Sequence, residues 1–228
     1  MSRASGAVAR RALWKAVLAL TGGLRIHGAA GLPPGPCVIV ANHSSHADTA
    51  ALIAALPARR RPAVAAAADY WFGAGFRARI CRALCAAFPV RRSGGGSADL
   101  AAAARLLAAG HDVIVFPEGT RSRDGDIGDF LGGAARLAAA AGAPLLPAGI
   151  SGTRTLLPPG GAPRPRRAAV TVRFGVPLPA CPQGGSEAGE AMAEARARVV
   201  TLVALSGGCG TRLVPARACN FMKHLRPR

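Results

Sequence analysis

Short apolar runs bounded by turn or polar residues recur along the chain at 37–41, 63–67, 113–116, 145–150 and 170–174. Runs of this length predict buried strands, the first centred on Val38, Ile39 and Val40. Between them lie segments whose Ala and Leu content favours helix, at 49–56, 97–109, 132–141 and 187–205, and Gly110 closes the second of these just ahead of a strand. Strands alternating with helices predict an α/β fold: a single-domain sandwich with a largely parallel central sheet flanked by helices. The expected organisation is an N-terminal segment over 1–30, one domain over 31–205 and a basic C-terminal tail over 206–228 with no periodicity. Two stretches rich in Gly, Pro or Arg, 91–96 and 156–167, read as mobile loops.

The N-terminal segment has a different pattern. Its apolar stretch 12–20 is interrupted by Lys15, and Arg3, Arg10, Arg11 and Arg25 lie around it with no acid in the first 26 residues. That is too short to span a bilayer and too charged for a signal-peptide core. It predicts an amphipathic helix lying on a membrane surface, with Leu13, Trp14, Val17, Leu18 and Leu20 available to insert. The competing expectation is a helix packed on its own domain.

Composition sharpens the choice of partner. With 29 basic against 11 acidic residues the formal net charge is +18, so the surface attracts polyanions. Aromatic residues make up only 4% of the chain, too few for the base stacking of a single-strand binder, and no nucleic-acid-binding motif accompanies the charge. An anionic membrane is the favoured partner, and nucleic acid is not expected. Six cysteines with no C-x-x-C pair read as reduced thiols in a cytosolic setting, Cys81 and Cys85 being small apolar residues on one helical face.

Two polar clusters carry candidate chemistry. The first, Asn42-His43-Ser44-Ser45-His46-Ala47-Asp48, follows a predicted strand. On a regular helix His43 and Asp48 would stand about 140° apart, so they meet only if the chain turns between them. With His43 in the loop and Asp48 early in the next helix, the carboxylate would hold the ring tautomer while the other nitrogen takes a proton. The residues alone equally allow a polar loop in which Asp48 caps that helix. The second cluster, Phe116-Pro117-Glu118-Gly119-Thr120-Arg121-Ser122, also follows a strand. Gly119 would clear space for a ligand, Arg121 offers a planar fork suited to phosphate, and Glu118 could orient that arginine or a ligand hydroxyl. A charged strand-to-loop turn would look the same.

His43 with Asp48, Phe88-Pro89-Val90-Arg91-Arg92, the cluster at 116–122 and Pro144-Leu145-Leu146-Pro147-Ala148-Gly149-Ile150, in that order, resemble the four motifs of the glycerolipid acyltransferase family. The likeness is strongest to the 1-acyl-glycerol-3-phosphate acyltransferases and runs over about 31–178. It implies that His43 and Asp48 are the catalytic pair, and that Arg92, Glu118, Gly119, Thr120 and Arg121 hold the glycerol phosphate of the acceptor. Pro147 would help shape the acyl-donor site. It further implies transfer of a fatty acyl group from acyl-CoA or acyl-acyl carrier protein to a lysophospholipid hydroxyl, with no metal or other cofactor. The basic surface and the N-terminal helix, for their part, predict a protein lying peripherally on the cytoplasmic side of the cell membrane. Two positions depart from the family pattern. Leu131 follows Phe130 where members often carry a basic residue, and Arg91 stands where many have an acid.

Other classes fit less well. A metal-dependent hydrolase built on His43, His46 and Asp48 would have no second ligand cluster, since only His27, His111 and His224 remain. A serine hydrolase would need a Gly-x-Ser-x-Gly elbow, which is absent.

Overall fold

The computed structural model describes residues 3–73, 75–91, 96–160, 164–180 and 185–206. The tail from 207 onward and parts of both loops expected to be mobile lie outside the described residues. The strands are β1 (Leu24–His27), β2 (Val38–Ala41), β3 (Ala63–Ala67), β4 (Ala87–Val90), β5 (Val113–Val115), β6 (Leu145–Ser151) and β7 (Val170–Phe174). They form one sheet in the order β1-β7-β6-β2-β5-β3-β4, parallel throughout except for the antiparallel β6–β7 pair. This is the expected α/β architecture with a largely parallel sheet.

The central strands are apolar on both faces because helices cover both. In β2, Ile39 and Ala41 join one core and Val38 and Val40 the other. The first core is closed by α1 (Arg3–Leu20) and α2 (Ala47–Ala55), which contribute Leu18, Leu52, Ile53 and Leu56. The second is closed by α5 (Gly96–Ala108), α6 (Gly133–Ala141) and α8 (Gly185–Ala204), mostly through alanines with Leu107, Leu137 and Met192. Small side chains let α8 approach β6 closely. A Cβ on Gly149 would lie 2.6 Å from Leu202 Cβ and 2.9 Å from Val203 N, so no larger residue fits there.

The structure adds elements that periodicity did not predict. Leu24–His27 alternates half-buried and exposed positions and pairs with β7, bringing part of the expected segment 1–30 into the sheet. Residues following β3 form the short α3 (Ala68–Trp71) and then α4 (Gly75–Cys85), and Phe88-Pro89-Val90 lies in edge strand β4. Cys81 is buried and Cys85 half-buried on the inner side of α4.

α1 also differs from the expected insertion. Leu18 is buried in the first core, Trp14 packs against it and donates its indole N–H to Leu84 O (2.9 Å), and Arg11 Nε donates to Leu56 O (2.8 Å). Trp14 and Leu18 therefore face the protein, while Val8, Leu13 and Leu20 face outward. No described helix is long and apolar enough to cross a membrane.

Candidate active site

The two polar clusters emerge side by side at the carboxyl ends of β2 and β5, which are neighbouring parallel strands. This edge of an open parallel sheet is where ligands bind in such folds. Asn42 marks where the chain leaves the sheet. Its buried side chain accepts from Ile150 N (2.8 Å) and donates to Ile150 O (2.9 Å), extending the β2–β6 pairing by one side-chain step.

His43 follows immediately and is held on every side. Its backbone N–H donates to Glu118 Oε1 (2.6 Å), and its carbonyl accepts from Ser122 N (2.8 Å). The imidazole stacks on Phe116 with ring centroids 4.1 Å apart and planes 18° apart. Its Nδ1 lies 2.9 Å from Asp48 Oδ2. A carboxylate acceptor selects the Nδ1–H tautomer, which leaves Nε2 with the lone pair that can accept a proton.

Asp48 reaches the ring because the chain turns through Ser44 and Ser45 before α2 begins. Its fully buried carboxylate also accepts from Ser44 N (2.7 Å) and Ser45 N (2.8 Å), both through Oδ2. It therefore ties the turn that precedes α2, which differs from capping the helix's own first amides. Ser45 Oγ completes the turn by accepting from Ala47 N (3.1 Å) and donating to Leu157 O (2.7 Å).

Glu118 is engaged with the backbone on both sides. Both carboxylate oxygens serve backbone amides, Oε1 that of His43 and Oε2 that of Gly128 (3.0 Å), and no described ion pair joins it to Arg121. Burial pushes its carboxyl above the usual range, opposed by these two amides. Gly119 has φ 70°, and a Cβ there would meet only Leu131 Cδ1 at 3.5 Å. Left-handed backbone, rather than crowding, is what requires glycine. Thr120 is exposed and Arg121 half-buried, with no hydrogen-bonding partner for the guanidinium among the described residues. Arg92 lies outside the described residues. Arg91 is exposed and forks onto Asp99 (Nη2–Oδ1 3.1 Å). Pro147 is buried within β6, opposite Val40, its carbonyl accepting from Gly175 N (2.8 Å).

Two arginines that sequence reasoning did not single out shape the site. Arg154 donates to the carbonyls of Ser122 (3.2 Å) and Arg123, and Arg196 of α8 to those of Ile127 (2.7 Å) and Gly128 (2.8 Å). Together they strap the long loop 117–132 to the body of the protein. Isolated arginines far along the chain carry no motif signal. His46 sits at the start of α2, with its ring stacked near Tyr70 (6.2 Å) and edge-on to Trp71 (5.3 Å). Burial, then the positive charge of Arg121, lowers its pKa to about 4, so it is neutral near pH 7. Among the described residues no cluster of three His, Cys, Asp or Glu is placed to hold a metal ion. A groove lined by Gly35, Pro36, Leu107 and Ala140–Pro144 lies at the opposite, amino end of β2 and β6 and carries no comparable polar cluster.

A family model described as "Acyltransferase" matches residues 23–151, more than half of the chain, and both clusters lie within that stretch. The chain belongs to the acyltransferase family. It is similar to the 1-acyl-sn-glycerol-3-phosphate acyltransferase alpha of Homo sapiens, 34% identical over 127 residues that make up 54% of this chain and 44% of that protein. The chloroplastic 1-acyl-sn-glycerol-3-phosphate acyltransferase BAT2 of Brassica napus is 46% identical over 55 residues, 24% of this chain and 16% of that protein. The matched stretches thus span less than half the length of these curated relatives. The fold of this acyltransferase-family chain is also that of the 1-acyl-sn-glycerophosphate (LPA) acyltransferase PlsC from Thermotoga maritima. The TM-score is 0.72 over 90% of this chain and 81% of that one, at 23% identity.

Proposed function

We propose that the protein transfers a fatty acyl group from a thioester donor, acyl-CoA or acyl-acyl carrier protein, to the free hydroxyl of 1-acyl-sn-glycerol-3-phosphate. The observation that carries this reading is the His43–Asp48 contact of 2.9 Å, held by the Phe116–Glu118 segment. Nε2 of His43 takes the hydroxyl proton as the acceptor oxygen attacks the thioester carbonyl. The new C–O bond forms, the C–S bond breaks as the tetrahedral intermediate collapses, and the proton passes from His43 to the departing thiolate. Asp48 stabilises the imidazolium between these steps. No covalent intermediate on the protein and no cofactor is needed.

On this reading Arg121, with Arg92, Thr120 and Gly119, holds the acceptor's phosphate, and Pro147 belongs to the acyl-donor side. Arg121 supports it best, being a forked donor beside His46 that no described protein group satisfies. Glu118 acts by positioning His43. The protein works peripherally on the cytoplasmic face of a membrane, touching it through its basic surface and the outward residues Val8, Leu13 and Leu20 of α1. Removing α1 is not a clean test of this, because Trp14 and Leu18 belong to the fold.

Purified protein, radiolabelled acyl-CoA and a panel of lysolipids, with products separated by chromatography, test the reaction. Transfer to lysophosphatidic acid is expected, and His43→Ala should lower turnover by about 100- to 10,000-fold while still unfolding in one cooperative thermal transition. Near-normal turnover by folded His43→Ala would overturn the mechanism, and transfer only to phosphate-free lysolipids would overturn the acceptor.

A further inference from the structure

Among the described residues, the largest outward apolar side chain beside the site is Phe76 of α4, 72% exposed. It is not isolated. Ile80 and Ala83 follow at helical spacing on the same face, opposite Ala78, Cys81 and Cys85, which turn toward the protein. By the helical period Arg79 and Arg82 flank this apolar stripe on one side and Arg77 on the other, all three exposed. Arg77 lies over the rings of Tyr70 (5.0 Å) and Trp71 (6.0 Å), and Arg82 over Phe72 (5.0 Å). α4 contains no acidic residue, and neither does α1.

α1 and α4 belong to the same helical layer. Trp14 of α1 bonds to Leu84 O of α4, and Trp14 and Cys85 both pack on the core cluster that α2 closes. Two acid-free helices on one side of the sheet thus each expose apolar residues between basic ones. The outward face of α4 is an apolar stripe set between basic residues rather than a uniformly polar surface. An apolar stripe bordered by arginines matches the chemistry of an anionic lipid surface, where basic side chains meet headgroups and apolar ones enter the acyl boundary.

We propose that the outer face of α4, Phe76 and Ile80 flanked by Arg77, Arg79 and Arg82, docks on the surface of an anionic phospholipid bilayer. The proposal rests on the lipid-acceptor reading above and deepens it. Tyr70 and Trp71 join α4 to His46, three residues from His43, so a bilayer on α4 lies beside the reacting groups. Lipid acceptor could then reach His43 without fully leaving the membrane.

The test is flotation of the full chain, without acyl substrates, on vesicles of equal parts phosphatidylcholine and phosphatidylglycerol. Phe76→Ser/Ile80→Ser should bind about tenfold or more weakly. Phe76→Leu/Ile80→Leu should bind like the parent, and so should Val176→Ser, which removes an equally exposed apolar residue outside α4. Unchanged binding by the double serine variant, or an equal loss in Val176→Ser, would overturn the proposal. Light scattering without lipid provides a second arm. A stable dimer abolished by Phe76→Ser/Ile80→Ser would show that a second copy of the chain covers this face, and would also overturn it. With a short-chain, water-soluble lysolipid the double serine variant should keep parental turnover; a loss there, with the fold intact, would make α4 part of the reaction site and sink bilayer docking. If the parent itself transfers acyl groups to no lysolipid, the acyltransfer reading fails while the vesicle result stands by itself.

Discussion

The two loops that build the candidate site are held in different ways. Residues 42–48 are knotted on one buried carboxylate: Asp48 reaches His43, Ser44 and Ser45 within a few positions, while Asn42, Ser45 Oγ, the His43 backbone and the two imidazole rings tie the knot to neighbouring elements. Residues 117–132 have local bonds too, an exposed turn through Ser122, Asp124, Gly125 and Asp126 and the Glu118–Gly128 contact, but these lie mostly at the surface. Their attachment to the body of the protein runs through Glu118 to His43, through Arg154 and Arg196 from distant elements, and through Ser122 N to His43 O. The short loop gathers its bonds on one buried carboxylate, whereas the long loop combines exposed turn bonds with straps from distant elements. Substitutions in the first should therefore strike the chemical step, and substitutions in the second should act through position and acceptor binding.

Asp48→Asn should produce the largest effect on this comparison, a fall in kcat of about 100-fold or more, because an amide does not stabilise a charged imidazolium. Steady-state kinetics as a function of pH check it, and loss confined to the acceptor's KM would break the assignment of this loop to chemistry. Glu118→Gln follows. A carboxamide offers one oxygen where the carboxylate serves two amides, so either His43 N or Gly128 N faces an N–H. A kcat reduction of about tenfold is expected, from a displaced His43 rather than a lost charge. Measured acyl transfer within twofold of the parent would show that the loops position themselves independently.

Arg121→Lys should raise the KM for lysophosphatidic acid about tenfold while leaving that for the thioester nearly unchanged, since an ammonium lacks the planar fork. The opposite split would move Arg121 to the donor side. Arg196→Ala should be milder, a few-fold rise in the acceptor's KM and about 1 kcal/mol of stability, because neighbouring contacts still restrain the loop. Faster amide exchange confined to the residues around Gly128 would identify the strap as the cause.

The smallest effect concerns His46. Its folded pKa of about 4 lies below the ordinary value of 6.5. Between these values the unfolded chain binds more protons, so stability rises with pH through that window and falls as pH drops from about 6.5 toward about 4. His46→Asn should remove part of that slope in thermal melts, with Tm near pH 7 shifted by only a few degrees. An unchanged slope would show that His46 is not the titrating group.

Legibility in the sequence followed the range of the interactions involved. β2, β5 and β6 could be read because strands buried on both faces are apolar at every position. The meeting of His43 and Asp48 required only a turn. β1 was hidden because Leu24–His27 is a half-exposed edge whose pairing partner lies about 146 positions away by the register of Leu24 with Val170. α1 showed apolar residues around its circumference, and sequence could not say which of them faced water. Tertiary packing turned Trp14 and Leu18 inward and left Val8, Leu13 and Leu20 outside.

The sequence by itself determined the alternation of strands and helices, the membership of two polar clusters at strand ends, the basic surface and the glycine at 119. These depend on local propensity and on spacing along the chain. Only the tertiary structure decided that Glu118 grips the His43 backbone, that Arg154 and Arg196 strap the loop 117–132, and that the outer face of α4 exposes Phe76 and Ile80. Each joins groups distant in sequence through contacts of a few ångströms, and such contacts are set by how the layers pack, which spacing along a chain does not encode.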